Sequence, residues 1–159
     1  MFSLFIRNLI FTILQPGIVA GLIPYLILGN KVNDIFVQQL LPNGLHNSGA
    51  IIFVIGFVIM VSCIISFAVK GRGTLSPADP TKKLVTTGLY KFSRNPMYVG
   101  VTLILIGEAI FFQSVVLLIY SLSIFIAFNI FTILVEEPRL RNNFGEEYKK
   151  YCDKVRRWI

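Results

Sequence analysis

The sequence predicts an all-α integral membrane protein with about four transmembrane helices, and three observations support this. Its 159 residues are 55% hydrophobic and only 14% charged, with a mean hydropathy of +0.72, whereas a soluble domain carries about 25% charged residues. Four apolar stretches reach or approach the roughly 20 residues that span a bilayer. No stretch alternates apolar and polar residues at period two, which argues against a β-barrel.

The four apolar stretches follow one another within one predicted membrane domain, residues 1–159. They are residues 8–29, 48–69, 97–112 and 114–135. Little more than Gln113 separates the last two, so the sequence predicts a tight antiparallel hairpin. Residues 1–69 therefore hold two N-terminal helices, and residues 70–159 hold a core made of the hairpin and a C-terminal surface helix.

The basic residues predict the orientation of the helices. The net charge is +7, and of the fifteen Lys and Arg residues only Lys31 falls in a loop on the predicted outer side. Because basic residues accumulate in cytoplasmic loops, both termini are expected in the cytoplasm. These residues flank apolar helices, so anionic lipid headgroups are their expected partners and nucleic acid is not. The topology suits a prokaryotic inner membrane.

A polar turn, Arg94-Asn95-Pro96, opens the third apolar stretch within "YKFSRNPMYVG". Asn is a good helix N-cap, and Pro suits the first helical position because its missing N–H is not needed there. Two interpretations stay open. The turn is either a capped helix start with a lipid-facing arginine, or a ligand-binding turn flanked by Tyr90 and Tyr98.

The C-terminal tail predicts an amphipathic helix. Its apolar and aromatic residues recur at steps of three and four, which places them on one helical face. They are Leu140, Phe144, Tyr148, Tyr151, Val155 and Trp158. Basic residues occupy much of the remaining surface, so the helix should lie along the membrane surface or over the preceding loop. Gly145 marks a place where it can break.

Three acidic residues have no simple structural explanation. Glu136 and Glu137 end the fourth apolar stretch, where the helix dipole favours a cation. They either pair with the basic residues of the preceding loop or hold a cationic ligand. Glu108 is the acid inside the third stretch, and it is either functional or reaches the outer membrane interface.

Histidine and cysteine offer no metal or disulfide framework. His46 is predicted to lie in an outer loop without a partner. Cys63 falls within the second apolar stretch and Cys152 in the tail, so the two thiols cannot meet. No metal site is predicted.

Two blocks of the sequence resemble one family. "LVTTGLYKFSRNPMYVG", followed after the hairpin by "EEPRLRNNFGEEYKKYCDKVRRWI", is similar to the C-terminal core of the integral-membrane methyltransferases. That group contains isoprenylcysteine carboxyl methyltransferases and phospholipid N-methyltransferases. The likeness covers residues 70–159 and indicates a prokaryotic-type member. It implies a small transmembrane bundle that binds S-adenosylmethionine (SAM) in a pocket at its cytoplasmic face.

The resemblance assigns ten residues to the cofactor site. They are Val85, Gly88, Tyr90, Arg94, Asn95, Pro96, Tyr98, Glu136, Glu137 and Tyr148. The first three would contact SAM through the backbone, and the next four would form the pocket wall. The acidic pair would supply carboxylates for the α-ammonium group, and Tyr148 would belong to the helix that closes over the pocket.

The resemblance also implies the activity, which is methyl transfer from SAM to a membrane-embedded or amphipathic acceptor. Arg94 and Tyr98 are the catalytic candidates. Arg94 would steer an acidic acceptor, and Tyr98 is one candidate base if the acceptor is an amine. Phospholipid N-methylation is the first alternative, and a non-enzymatic membrane module that binds lipid or protein is the second.

The sequence departs from the family pattern in two places. The family's commonest turn has His where this chain has Asn95, which cannot titrate near neutral pH. The prenylcysteine enzymes also carry arginines before the acidic pair, whereas this chain reads "FNIFTILV" there. The first departure excludes a proton-transfer role for Asn95. The second counts against a prenylcysteine acceptor and leaves cofactor binding intact.

Overall fold

The computed structural model describes residues 16–29, 44–66 and 84–158, and every regular element in these ranges is helical. A π-helical turn, Ile18–Leu22, leads into α1 (Ile23–Leu28), and α2 is Gly44–Ser66. A short 3-10 turn, Gly88–Lys91, precedes α3 (Pro96–Phe111) and α4 (Val115–Phe131). A second π-helical turn, Thr132–Glu136, joins α4 to α5 (Glu137–Lys154).

Two of these helical segments are long and apolar enough to cross a membrane. They are His46–Ser66 and the continuous segment Val115–Lys154, whose apolar part ends at residue 135. The apolar segments Ile18–Leu28 and Pro96–Phe111 are shorter. The all-helical prediction is thus confirmed for the described residues. Of the four predicted spans, two have helices of sufficient length and hydrophobicity within the described residues. Three parts of the predictions lie outside the described residues: residues 8–15 of the first stretch, residues 67–69 of the second stretch and residues 70–83 of the loop that follows it.

The predicted hairpin junction is present between α3 and α4. Its three residues are stabilised by backbone hydrogen bonds from Phe112 N to Glu108 O (2.8 Å) and from Ser114 N to Ala109 O (3.0 Å). Gln113 takes a positive φ of 46°. The Ser114 hydroxyl then caps α4 by accepting from Leu117 N at 3.3 Å.

Helices α2 and α3 pack closely along a line of glycines. Gly49 and Gly56 on α2 face Gly100 and Gly107 on α3, and each pair is seven positions apart, which keeps its members on one helical face. A Cβ on Gly56 would lie 2.6 Å from Gly100 O, and one on Gly107 would lie 2.6 Å from Phe53 N. Small residues at such an interface allow the backbones of membrane helices to approach.

Replacing either central glycine of this interface is expected to destabilise the protein. Gly56→Ala or Gly107→Ala forces the helices apart, which should cost about 1–3 kcal/mol. Thermal unfolding in detergent, followed by helical circular dichroism, measures the effect. Gly21→Ala is the matched control because a Cβ there meets nothing within 4 Å. Equal melting temperatures for Gly56→Ala and Gly21→Ala would contradict the close packing.

The predicted outer loop is partly helical. His46 lies in the first turns of α2, is 6% exposed, and stacks on Phe111 of α3 with ring centroids 4.3 Å apart. The prediction of an unpartnered loop residue was therefore wrong, because α2 begins before its apolar run does. Helix α1 packs through Leu28, which clusters with Ala109 of α3 and Leu117 of α4. The Tyr120 hydroxyl of α4 donates to Val19 O at 2.9 Å.

Most of the large side chains on α4 face outward, as expected of a helix in lipid. They include Val115, Val116, Leu118, Ile119, Leu122, Ile126, Ile130 and Phe131. The amphipathic tail helix is present as α5, and every residue of its predicted apolar face is buried or half-buried. The helix ends at Lys154, however, so the prediction that Val155 and Trp158 are helical was wrong. Gly145 bends it with φ 49° and ψ −122°, so the predicted break is confirmed.

Candidate active site

The candidate site lies at the end of the bundle where α2 ends, α3 begins and α4 passes into α5. The chain approaches it through Val85 and the 3-10 turn, which pack on Cys63 near the end of α2. Tyr90 is buried in this cluster. Gly88 opens the 3-10 turn with φ 69°, a conformation that favours glycine. Pro96 then starts α3.

Glu137 is held between two arginines. The Arg157 guanidinium donates to both of its oxygens, Nε to Oε1 at 2.8 Å and Nη2 to Oε2 at 3.0 Å. Arg94 Nη1 lies 3.3 Å from Oε1, and the Glu137 side chain is only 8% exposed. Burial raises the pKa of Glu137, but the Arg157 hydrogen bond and the arginine charges outweigh it and hold the pKa below its ordinary value.

Glu136 has different surroundings from its neighbour. The Tyr98 hydroxyl donates to Glu136 Oε2 at 2.9 Å, and the Tyr98 ring stacks on Phe128 with centroids 4.5 Å apart. Burial raises the pKa of Glu136 above its ordinary value, against the opposing effects of the Tyr98 hydrogen bond and the Arg139 charge. Two adjacent carboxyls therefore have pKa values displaced in opposite directions.

The π-helical turn between α4 and α5 places side chains of the two helices on the same face. Phe128 and Glu136 both contact Tyr98 although they are eight positions apart. In an uninterrupted α-helix that spacing turns the second side chain about 80° away from the first. The wider turn accommodates the extra residue. Asn129 and Glu137, also eight positions apart, both contact the C-terminal segment for the same reason.

The C-terminal strap, residues 155–158, leaves α5 in an extended conformation and returns across the Arg94-Asn95 turn. Asn95 Nδ2 donates to Arg157 O at 3.1 Å, and Arg94 N donates to Arg156 O at 2.9 Å. Asn95 stands at the N-cap of α3, but its side chain makes no capping hydrogen bond. The predicted helix start at Asn95 and Pro96 is confirmed, but the predicted side-chain cap is absent, and the Asn95 amide nitrogen donates to the strap instead.

The arginine of this turn does not face lipid. The Arg94 side chain is 13% exposed, and besides Glu137 its Nη1 meets Cys152 Sγ at 2.7 Å. Its Nε is buried and has no hydrogen-bond partner among the residues that the structure describes. The lipid-facing interpretation of Arg94 was wrong, because Glu137 and Cys152 draw it into the protein.

The tail helix lies over the turn, as the sequence predicts. Tyr148 is 2% exposed, and its ring centroid is 6.3 Å from that of Tyr151. Burial raises the pKa of Tyr148, and the neighbouring Cys152 adds to this effect. The Tyr151 hydroxyl donates to Tyr90 O at 2.6 Å. This contact ties α5 to the 3-10 turn.

The structure brings most of the predicted site residues together at one end of the bundle. It joins Arg94 to Glu137, Tyr98 to Glu136, and Val85 to Tyr90. Glu108 lies in the last turn of α3, away from this end, with one carboxyl oxygen buried and unpartnered among the described residues.

Sequence reasoning missed the residues that complete the cluster, which are Asn129, Cys152, Arg157 and Trp158. The arginines of "RRW" were interpreted as lipid-binding charge, and no pattern in the sequence predicted the strap.

The site combines groups of both signs beside an aromatic wall. Arg94, Arg157 and Glu137 together carry one net positive charge. Glu136 accepts a hydrogen bond from Tyr98, and the Arg139 charge also acts on it. Such a set can bind a ligand that carries both a cationic and an anionic group. The apolar surface of α4 begins next to it, so an amphipathic second ligand can reach the same end of the bundle.

Comparison with known proteins identifies the family of this chain. The family model for phospholipid methyltransferase matches residues 45–147, which span α2 to α5. An uncharacterized protein of Haemophilus influenzae is 33% identical to this chain over 63 residues, which are 40% of this chain and 100% of that protein. The family is one of membrane-associated methyltransferases. The chain belongs to the phospholipid methyltransferase family.

Proposed function

We propose that this protein transfers a methyl group from SAM to a membrane-embedded or amphipathic acceptor, as isoprenylcysteine carboxyl methyltransferases do. The observation that carries the proposal is the contrast between the two adjacent acids. Glu137 is bonded to Arg94 and Arg157, whereas the hydrogen bond described for Glu136 comes from the neutral Tyr98 hydroxyl, with the Arg139 charge also acting on this carboxyl. One position therefore holds the site together and the other is available for a ligand.

The residues present fit SAM. The cofactor carries an ammonium, a carboxylate and a sulfonium, and supplies the electrophilic methyl group when bound. The Glu136 carboxylate suits the ammonium, and the buried, unpartnered Arg94 Nε suits the carboxylate. The rings of Tyr98 and Tyr148 suit the sulfonium region, because aromatic faces attract cations. Backbone groups around Val85, Gly88 and Tyr90 would complete the pocket, with Asn95 and Pro96 in its wall.

The structure revises the proposed part of Glu137. Both of its oxygens accept from Arg157, and Arg94 is also beside it. We therefore assign the ammonium contact to Glu136 alone, and we assign to Glu137 the holding of the two arginines.

The arginine pair also bears on the acceptor. Arg94 and Arg157 with Glu137 carry one net positive charge, which would attract an acidic acceptor group. The membrane supplies such an acceptor from the side, along the exposed apolar face of α4, while SAM enters from the cytoplasm. This route requires the site to face the cytoplasm, as the distribution of basic residues predicts.

Phospholipid N-methylation is the second candidate, and Glu136 favours it. An amine acceptor must lose a proton before it attacks the methyl group. A carboxyl whose pKa burial raises is suited to accept that proton, and in this second candidate Glu136 would do so instead of contacting the SAM ammonium. Tyr98, which donates to Glu136 at 2.9 Å, would orient the carboxyl.

A thermal-shift titration of the detergent-purified protein tests cofactor binding. SAM and its demethylated product should each give a saturable rise in melting temperature, with NADPH as the control. At about 100 times its dissociation constant, a ligand stabilises the folded state by about 2.7 kcal/mol. No shift with SAM or its product would favour the non-enzymatic membrane module. With binding established, turnover with prenylcysteine analogues and phosphatidylethanolamine separates the two acceptor classes.

A further inference from the structure

The C-terminal strap contacts three separate parts of the site through its backbone and side chains. At the turn before α3, Arg157 O accepts from Ser93 Oγ at 3.3 Å and from Asn95 Nδ2 at 3.1 Å. At the start of α5, the Arg157 guanidinium binds Glu137 through two parallel hydrogen bonds. On α4, Trp158 Nε1 donates to Asn129 Oδ1 at 2.9 Å.

Arg157 is the centre of these contacts. Its two hydrogen bonds to Glu137 are shorter than the 3.3 Å contact between Arg94 and the same carboxylate. Parallel bonds from a planar guanidinium define the position of a carboxylate in two dimensions. Arg157 therefore places Glu137, and Glu137 in turn places Arg94. The carbonyl of the same residue holds the Asn95 amide.

Trp158 anchors the strap to the membrane helix. Its ring lies 5.2 Å from that of Phe125, and its N–H is bonded to Asn129 one turn further along α4. The apolar part of the Trp158 ring packs on an aromatic side chain while its N–H forms a hydrogen bond, so both parts of this side chain hold the strap against α4.

We propose that Arg157 is a positioning residue, and that the strap it anchors sets Arg94 and Asn95 in place for methyl transfer. The catalytic part of this inference rests on the proposed function, whereas the mechanical part concerns the protein without ligand. Release of Arg157 should free the strap, displace Trp158 from α4 and leave Arg94 without a fixed carboxylate.

The fluorescence of Trp158 tests the mechanical part directly, because it is the one tryptophan in the chain. In Arg157→Gln, its emission should shift to longer wavelength and acrylamide should quench it more strongly, with helical circular dichroism retained. Arg157→Lys keeps the charge without the planar fork and should fall between this variant and the wild type. Arg156→Gln is the matched control, because that side chain is exposed and only its carbonyl contacts the turn.

Kinetics test the catalytic part. In Arg157→Gln, kcat should fall by about 10- to 100-fold, since a small misplacement of positioning groups has this effect, with a much smaller change in the KM for SAM. Arg157→Lys should recover part of the lost kcat.

If Arg157→Gln and Arg157→Lys match Arg156→Gln in emission and quenching, Arg157 does not hold the strap and the inference is overturned. If emission moves while kcat does not, the positioning role is overturned. If the wild-type protein binds no SAM but the emission of Arg157→Gln still shifts, the result counts against the proposed function. It would still support the inference that Arg157 anchors the strap.

Discussion

Glu137→Gln is expected to lower the free energy of unfolding by about 3–5 kcal/mol, because it removes one partner of a buried ion pair. The neutral amide has one acceptor oxygen where the carboxylate had two, and it cannot balance the charges of Arg94 and Arg157. Arg94 is 13% exposed, so its charge would remain in the protein without a counter-charge. Chemical unfolding in detergent, followed by circular dichroism, measures the loss.

A surface acid provides the control for this prediction. Glu146 lies 3.7 Å from Lys149, and both side chains are more than two-thirds exposed, at 78% and 70%. Exposed pairs contribute at most about 1 kcal/mol, so Glu146→Gln should unfold almost as the wild type does. Equal stabilities for Glu137→Gln and Glu146→Gln would show that the arginine cluster does not stabilise the fold.

Glu136→Gln is expected to reduce SAM affinity while the fold is retained. The Gln oxygen can still accept from Tyr98, and the substitution removes a charge that burial disfavours. A hydrogen bond to a charged group contributes about 1.5–3 kcal/mol, and each 1.4 kcal/mol is a factor of ten, so SAM should bind about 10- to 100-fold more weakly. Isothermal titration calorimetry of the detergent-purified variant measures the affinity.

The comparison with two other variants makes this result specific. Glu147→Gln removes an exposed acid from the same tail and should leave SAM affinity unchanged. Tyr98→Phe keeps the acid but removes the hydroxyl that orients it, so its effect on affinity should be smaller than that of Glu136→Gln. Wild-type affinity in Glu136→Gln would exclude this carboxylate from the cofactor site.

Much of the fold is predictable from local sequence, because apolar length and helix-start residues act locally. The hairpin at Gln113, the start of α3 at Pro96 and the bend at Gly145 are all where the sequence places them. The glycine interface was also available in the sequence as a spacing of seven on two helices. It went unused because a glycine spacing does not show which two helices face each other.

The resemblance predicted which residues belong to the site, but not which of them contact each other. The resemblance selected Arg94, Glu136 and Glu137 and treated the two acids alike. Adjacent residues point in directions about 100° apart on a helix, so they meet different neighbours. The structure pairs one acid with Tyr98 and the other with two arginines.

The sequence by itself determined the helical class, the hairpin, the amphipathic tail and the resemblance to methyltransferases. These depend on composition and on spacings within about twenty residues. Only the tertiary structure decided which charges pair, and two features explain why. The π-helical turn moves Glu136 and Glu137 onto faces that α-helical spacing would not assign to them, and the strap returns Arg157 to a carboxylate twenty positions away. Neither the extra residue in the π-helical turn nor the path of the C-terminal strap produces a periodic pattern in the sequence. Both therefore depend on how the packed helices place their neighbours.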